Sequence, residues 1–314
     1  MNHSNFIPNV TRRQALAVGA TAALTMPGAA FAAPQNEHPW IDAHSHIWTR
    51  EIANYPLAKG VTLADLQPAS FTTEELLALA AKNGVGRVVL IQHSKFYLYD
   101  NSYMIDAAKE HPHAFRIVGM VDNLSANPGQ QMKDLLAKRV TGFRITPWIH
   151  KDKWLTGGMP EMWETAAKTG QKMCCLIDAA NLPEVDAMCT KHPATPVVID
   201  HFARIGVDGE FREADIAALC KLAKHKQTHV KISAFYALGQ KKPPYLELVP
   251  MIRRLLDSFG PSRLMWASDA PYQLDAGNTY AASLALVREK LDFLSAGDRD
   301  WLLRKTAEKV FFYQ

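Results

Sequence analysis

The sequence predicts a single eight-stranded (β/α)8 barrel. Three observations carry that expectation. Eight short apolar runs recur along the chain, helical patterns fill the intervals between them, and nearly every run ends in a polar or charged residue. Strand–helix alternation of this kind packs as a parallel sheet covered by helices. A doubly wound open sheet also alternates, but more often carries a glycine-rich phosphate loop after its first strand. Here the first run, "WIDAHSHIW", ends in histidines instead.

The runs, in order, are 40–47, "RVVLIQHS" (87–94), "FRIVGMVD" (115–122), "VTGFRI" (140–145), "KMCCLID" (172–178), "PVVIDH" (196–201), "HVKISAF" (229–235) and "RLMWASD" (263–269). Val and Ile dominate, as in strands buried on both faces. Between them, "TTEELLALAAKNG" (72–84) opens on a capping residue, repeats apolar positions at helical spacing and stops at Asn83-Gly84. Segments 101–112, 159–170, 182–193, 212–225 and 245–260 read in the same way. No linker or low-complexity tract divides residues 33–314, which read as one domain.

Residues 1–32 read as an export signal that leaves the mature domain at 33. A twin arginine, Arg12–Arg13, precedes an uncharged Ala/Gly-rich stretch and the A-x-A pattern Ala30-Phe31-Ala32. The expected partner is the twin-arginine export machinery and the expected location the periplasm. No stable membrane insertion is expected after cleavage. Ala, Gly and Thr are poor membrane-spanning material, and Pro27 interrupts the stretch. With Arg12 and Arg13 removed and no acid among residues 1–32, the formal charge falls from +4 to +2. That balance, with no basic block, does not point to nucleic acid or a membrane surface, and the expected partner is a small-molecule substrate. Cys174, Cys175, Cys189 and Cys220 show no C-x-x-C spacing and read as reduced, structural thiols.

Barrel chemistry sits at the C-terminal ends of strands. On a strand, His44 and His46 would share a face, with Asp42 one step deeper. Two imidazoles aimed at one point suit a borderline cation such as zinc. Arg144 ends the fourth run and Arg204 follows the sixth; a guanidinium fork suits a carboxylate. His93 could donate to a substrate oxygen, and Trp48, Trp148 and Tyr272 could wall a pocket for a ring. Asp42 could orient a histidine, or serve as a buried acceptor.

"DAHSHIW", "GFRITPW", "VVIDHFARIG", "VKISAF" and "LMWASDAPY" together resemble the amidohydrolase superfamily, most closely its amidohydrolase-2 branch of sugar lactonases, 2-pyrone-4,6-dicarboxylate lactonase and aromatic decarboxylases. The resemblance implies that His44, His46, His201 and Asp269 are metal ligands, with Asp269 the general base and His201 beside it. Arg204 falls where the dicarboxylate lactonase carries an arginine. It also implies one divalent metal, zinc, rather than two, because the fifth strand offers no histidine; a metal-independent version stays open. The expected activity is opening of a cyclic ester, either a sugar lactone or a carboxylated lactone. The alternatives are a metal-dependent decarboxylase and a non-catalytic periplasmic binding protein. Substrate identity and oligomeric state are not legible.

Overall fold

The computed structural model describes residues 39–151 and 154–313. The predicted export signal lies outside the described residues. Eight strands form one parallel sheet in sequential order: β1 (Trp40–Ser45), β2 (Val85–Ile91), β3 (Phe115–Gly119), β4 (Val140–Ile145), β5 (Lys172–Cys175), β6 (Val197–Ile199), β7 (Thr228–Ile232) and β8 (Leu264–Trp266). The barrel expectation is borne out. No described helix is long and apolar enough to cross a membrane.

Helices separate the strands where the pattern placed them: Thr73–Lys82, Ser102–Glu110, Met159–Thr169, Leu182–Lys191, Glu213–Lys221 and Val249–Phe259. The first begins with a capping box, in which Thr72 accepts from the Glu75 amide and Glu75 reaches back to the Thr72 amide. Among the helices the sequence reading did not place is Pro128–Leu136; Pro128 starts it, as proline often does at a first helical position.

Most strands stop sooner than the apolar runs that predicted them. The ladder ends at Ser45, Ile91, Gly119, Cys175, Ile199 and Trp266, and the remaining residues of each run turn into the barrel mouth. Several do so in the left-handed region. His201, Phe202, Ala203 and Arg204 have φ of 51°, 55°, 52° and 54°, and Asp269 has φ 63°. Side chains resist this conformation by about 1 kcal/mol or more each. The left-handed turn after β6 places both His201 and Arg204 on the pocket.

The closing seam differs from the other junctions. β1 and β8 share no regular ladder; an isolated bridge joins Ser45 to Ala270, His46 N–H donates to Ala270 O (2.8 Å), and Asp269 N–H donates to His44 O (2.8 Å). A register shift between Asp42 and Ser45 interrupts the alternation of β1. Asp42 therefore faces the seam. Its carboxylate accepts from Ser268 N–H (2.9 Å), Ser268 Oγ (2.5 Å), His44 N–H (3.1 Å) and Tyr280 OH (2.9 Å). It orients no imidazole; the buried-acceptor alternative is the one observed. Inside the barrel, Ile41, Val89, Val118, Val198 and Met265 pack together with Val310 and Phe311 of the last helix.

Candidate active site

Asp269 follows β8 and meets three imidazoles. Its Oδ1 lies 3.3 Å from His44 Nε2 and 3.3 Å from His46 Nε2, and its Oδ2 lies 3.8 Å from His201 Nε2. The predicted quartet is thus brought together. Each ring is held from its far side. His46 Nδ1 donates to Ile91 O (2.8 Å), which turns Nε2 towards Asp269. His201 Nδ1 is 2.7 Å from Ser233 Oγ.

Under His44 lies a buried network that the sequence reading did not assign. Arg144 Nη2 stands 2.7 Å from His44 Nε2 and 3.4 Å from Asp200 Oδ2. Lys231 Nζ stands 3.0 Å from Asp200 Oδ1 and 3.3 Å from His44 Nδ1. Lys231 was legible in principle: a lysine inside the apolar run "HVKISAF", in phase with Ser233, must face the same side. Tyr236, which donates to Asp269 Oδ2 (2.7 Å), gave no such signal, because it lies beyond the strand in a loop.

The electrostatics follow from burial and neighbours. Burial, then the charge of Lys231, holds His44 well below the usual imidazole range; burial likewise holds His93 well below it and lowers His201. Burial opposes ionisation of Asp269, yet His201, His46 and His44 around it hold it far below the carboxylate range. Burial likewise opposes ionisation of Asp200, and Lys231, His44 and Arg144 overcome it. Tyr236 is pushed well up by burial and by Asp269 beside it, so it stays a donor.

A pocket of about 290 Å³ opens above Asp269, lined among others by His46, His93, Arg144, Trp148, His201, Arg204, Tyr236 and Tyr272. Arg204 reaches Asp178 Oδ1 (2.9 Å), and its guanidinium sits 4.5 Å from the centre of the half-exposed Trp148 ring. Two expectations need correction. Trp48 is fully buried behind the pocket: its indole donates to Pro68 O (2.8 Å), and the ring packs on Phe96 and His93. His93 reaches the pocket wall, but its Nε2 is engaged with Tyr272 OH and its Nδ1 accepts from Phe96 N–H (3.2 Å), so it has no proton to spare for substrate. Both arginines meet carboxylates of the protein itself, which weakens the reading of them as a grip for a substrate carboxylate.

His44, His201 and Asp269 offer ligand atoms all within 4.8 Å of one another. His46 Nε2 faces the same Asp269 oxygen at 3.3 Å but is not part of that three-residue cluster. The donor set, nitrogen and carboxylate oxygen, suits a borderline divalent metal.

A barrel with this histidine–aspartate centre at the strand ends defines a class, and the family comparison agrees. The amidohydrolase family model matches residues 41–313, and the chain belongs to that family. It is 30% identical over 259 residues to the L-fucono-1,5-lactonase of Burkholderia ambifaria, covering 80% of this chain and 88% of that one. It is 25% identical over 246 residues to the 4-sulfomuconolactone hydrolase of Rhizobium radiobacter, covering 77% and 78%. Among solved structures, an amidohydrolase from Burkholderia multivorans with bound zinc superposes with a TM-score of 0.74 at 22% identity, over 87% of this chain and 99% of that one.

Proposed function

We propose that this protein hydrolyses the ester bond of a neutral sugar lactone. The observation that carries the reading is Asp269, an ionised carboxylate among three imidazoles on the floor of a pocket sized for one ring. The names of the lactonase relatives support the ester, and the pairing of Arg144 with Asp200 and Arg204 with Asp178 favours an uncharged ring over a carboxylated one.

The chemistry follows from the positions. Asp269 takes a proton from water as the water oxygen bonds to the lactone carbonyl carbon. Negative charge then develops on the carbonyl oxygen. Arg144 and His201 line the pocket and can donate there. The ring C–O bond breaks, and the proton held by Asp269 passes to the departing alkoxide. Tyr236 fixes the carboxylate through Oδ2. A divalent metal held by His44, His46, His201 and Asp269 would supply Lewis acidity and a more acidic water.

The test is acid release from a panel of aldonolactones, carboxylated lactones and aromatic acids, with carbon dioxide monitored. Turnover of neutral lactones is expected. Carbon dioxide release would establish the decarboxylase instead, and tight binding without turnover the binding protein. We also propose export by the twin-arginine route, supported by Arg12–Arg13 and Ala30-Phe31-Ala32. Sequencing of the exported protein should begin at Ala33; retention of Met1 would refute cleavage.

A further inference from the structure

The metal donors and the arginine contend for the same lone pair. Arg144 Nη2 lies 2.7 Å from His44 Nε2. A guanidinium only donates, so this nitrogen accepts and its lone pair is spent. The same Nε2 is the one turned to Asp269 Oδ1 at 3.3 Å, where a bound ion would need it.

Charge balance points the same way. Four charged side chains stand nearest the His44 ring: Arg144 at 2.7 Å, Asp269 and Lys231 at 3.3 Å, and Asp200 at 3.7 Å. Two are cations and two are carboxylates. All four are buried, and their charges cancel without any ion. Adding a divalent cation would leave a buried excess of two positive charges, which a low-dielectric interior resists strongly. Removing Arg144 would leave one excess negative charge and free His44 Nε2. Lys231 would still hold Asp200.

We propose that Arg144 is the resident cation of this site, and that it sets the affinity of the His44–His46–His201–Asp269 cluster for divalent metal by holding the His44 lone pair. The arginine is a competitor of the ion, and metal occupancy requires its guanidinium to leave His44. The test reads metal and not turnover, so it stands apart from the lactone proposed above.

The full chain is freed of metal with a chelator and titrated with zinc by calorimetry, as wild type and as Arg144→Met. The variant is expected to bind zinc at least about 100-fold more tightly, because a fixed positive charge beside the ion has been removed. Cobalt(II) added to Arg144→Met should give the intense visible absorption of a four-coordinate site, absent from wild type at the same concentration. Adding His44→Ala to Arg144→Met should abolish both gains. Equal zinc affinity in wild type and Arg144→Met would overturn the proposal, as would a gain that survives His44→Ala. Should Arg144→Met not fold, Arg144→Gln keeps a donor for Asp200 and is expected to gain affinity likewise. Wild type alone also decides: a zinc dissociation constant tighter than about 1 μM with Arg144 in place contradicts the competition.

Discussion

The floor of the pocket and its mouth use the same chemistry in opposite settings. On the floor, Asp200 is fully buried between Lys231 and Arg144. At the mouth, Arg204 pairs with Asp178, but the two side chains are 31% and 46% exposed, and the arginine leans on Trp148. Water screens the mouth pair, so it can open and re-form around a substrate at little cost. The floor pair has no water to fall back on, so each member depends on the others. One fold has built a rigid electrostatic base and an adjustable rim from the same ion-pair types. Removing a charge should therefore be costly below and mild above.

The largest effect is expected on the floor. Lys231→Met leaves Asp200 with Arg144 alone and should lower the unfolding free energy by about 3–5 kcal/mol in denaturant titration. A loss below about 1 kcal/mol would place floor and rim on the same footing.

The β1–β8 seam comes next. Asp42→Asn removes an acceptor from four donors and should cost about 1–3 kcal/mol near neutral pH. Its pH dependence has a definite sign. Burial raises the Asp42 pKa to about 6, against the pull of Ser268, His44 and Tyr280. A raised pKa means the stabilisation is complete below the unfolded value of 3.8 and is lost as pH rises through about 6. The gap between wild type and Asp42→Asn should therefore narrow from pH 4 to pH 7; a widening gap would reverse the sign.

At the rim, Arg204→Ala should raise KM by about 3–10-fold with kcat within about twofold, the signature of lost uniform binding. A collapse of kcat would move Arg204 from the mouth into the chemistry. The smallest effect is expected far from the pocket. Asp186 sits among Lys221, Lys224 and His225. Burial opposes its ionisation, but these neighbours lower its pKa to about 2. Asp186→Asn should cost about 1 kcal/mol or less at pH 6, and the difference should fade as pH drops from about 4 towards 2.

The same contrast explains what the sequence discloses. Strand order and the quartet His44, His46, His201 and Asp269 were legible, because apolar runs mark strands and barrel chemistry gathers at their ends. Two other polar residues near run ends take no part in the pocket: Gln92 and Asp122 are spent on loop backbone, at Leu98 O and Leu124 N–H. Asp42 was misplaced because a register shift inside β1 breaks the alternation that phase arguments assume. Trp48 belongs to the packing behind the pocket, which spacing cannot separate from its wall. The state of the arginines was not legible at all. Asp178 and Asp200 reach them across 26 and 56 residues, and only the closed barrel brings those partners together.

The most direct test of the account is the turnover of Asp269→Asn on a neutral sugar lactone, followed by acid release at constant pH. The amide cannot take a proton from water, and kcat should fall by at least about 1,000-fold, in the upper part of the usual range for loss of an acid–base group, because the three imidazoles also lose their carboxylate. The protein should remain folded. Turnover within about tenfold of wild type would contradict the assignment of Asp269 as the base and, with it, the reading of the histidine floor.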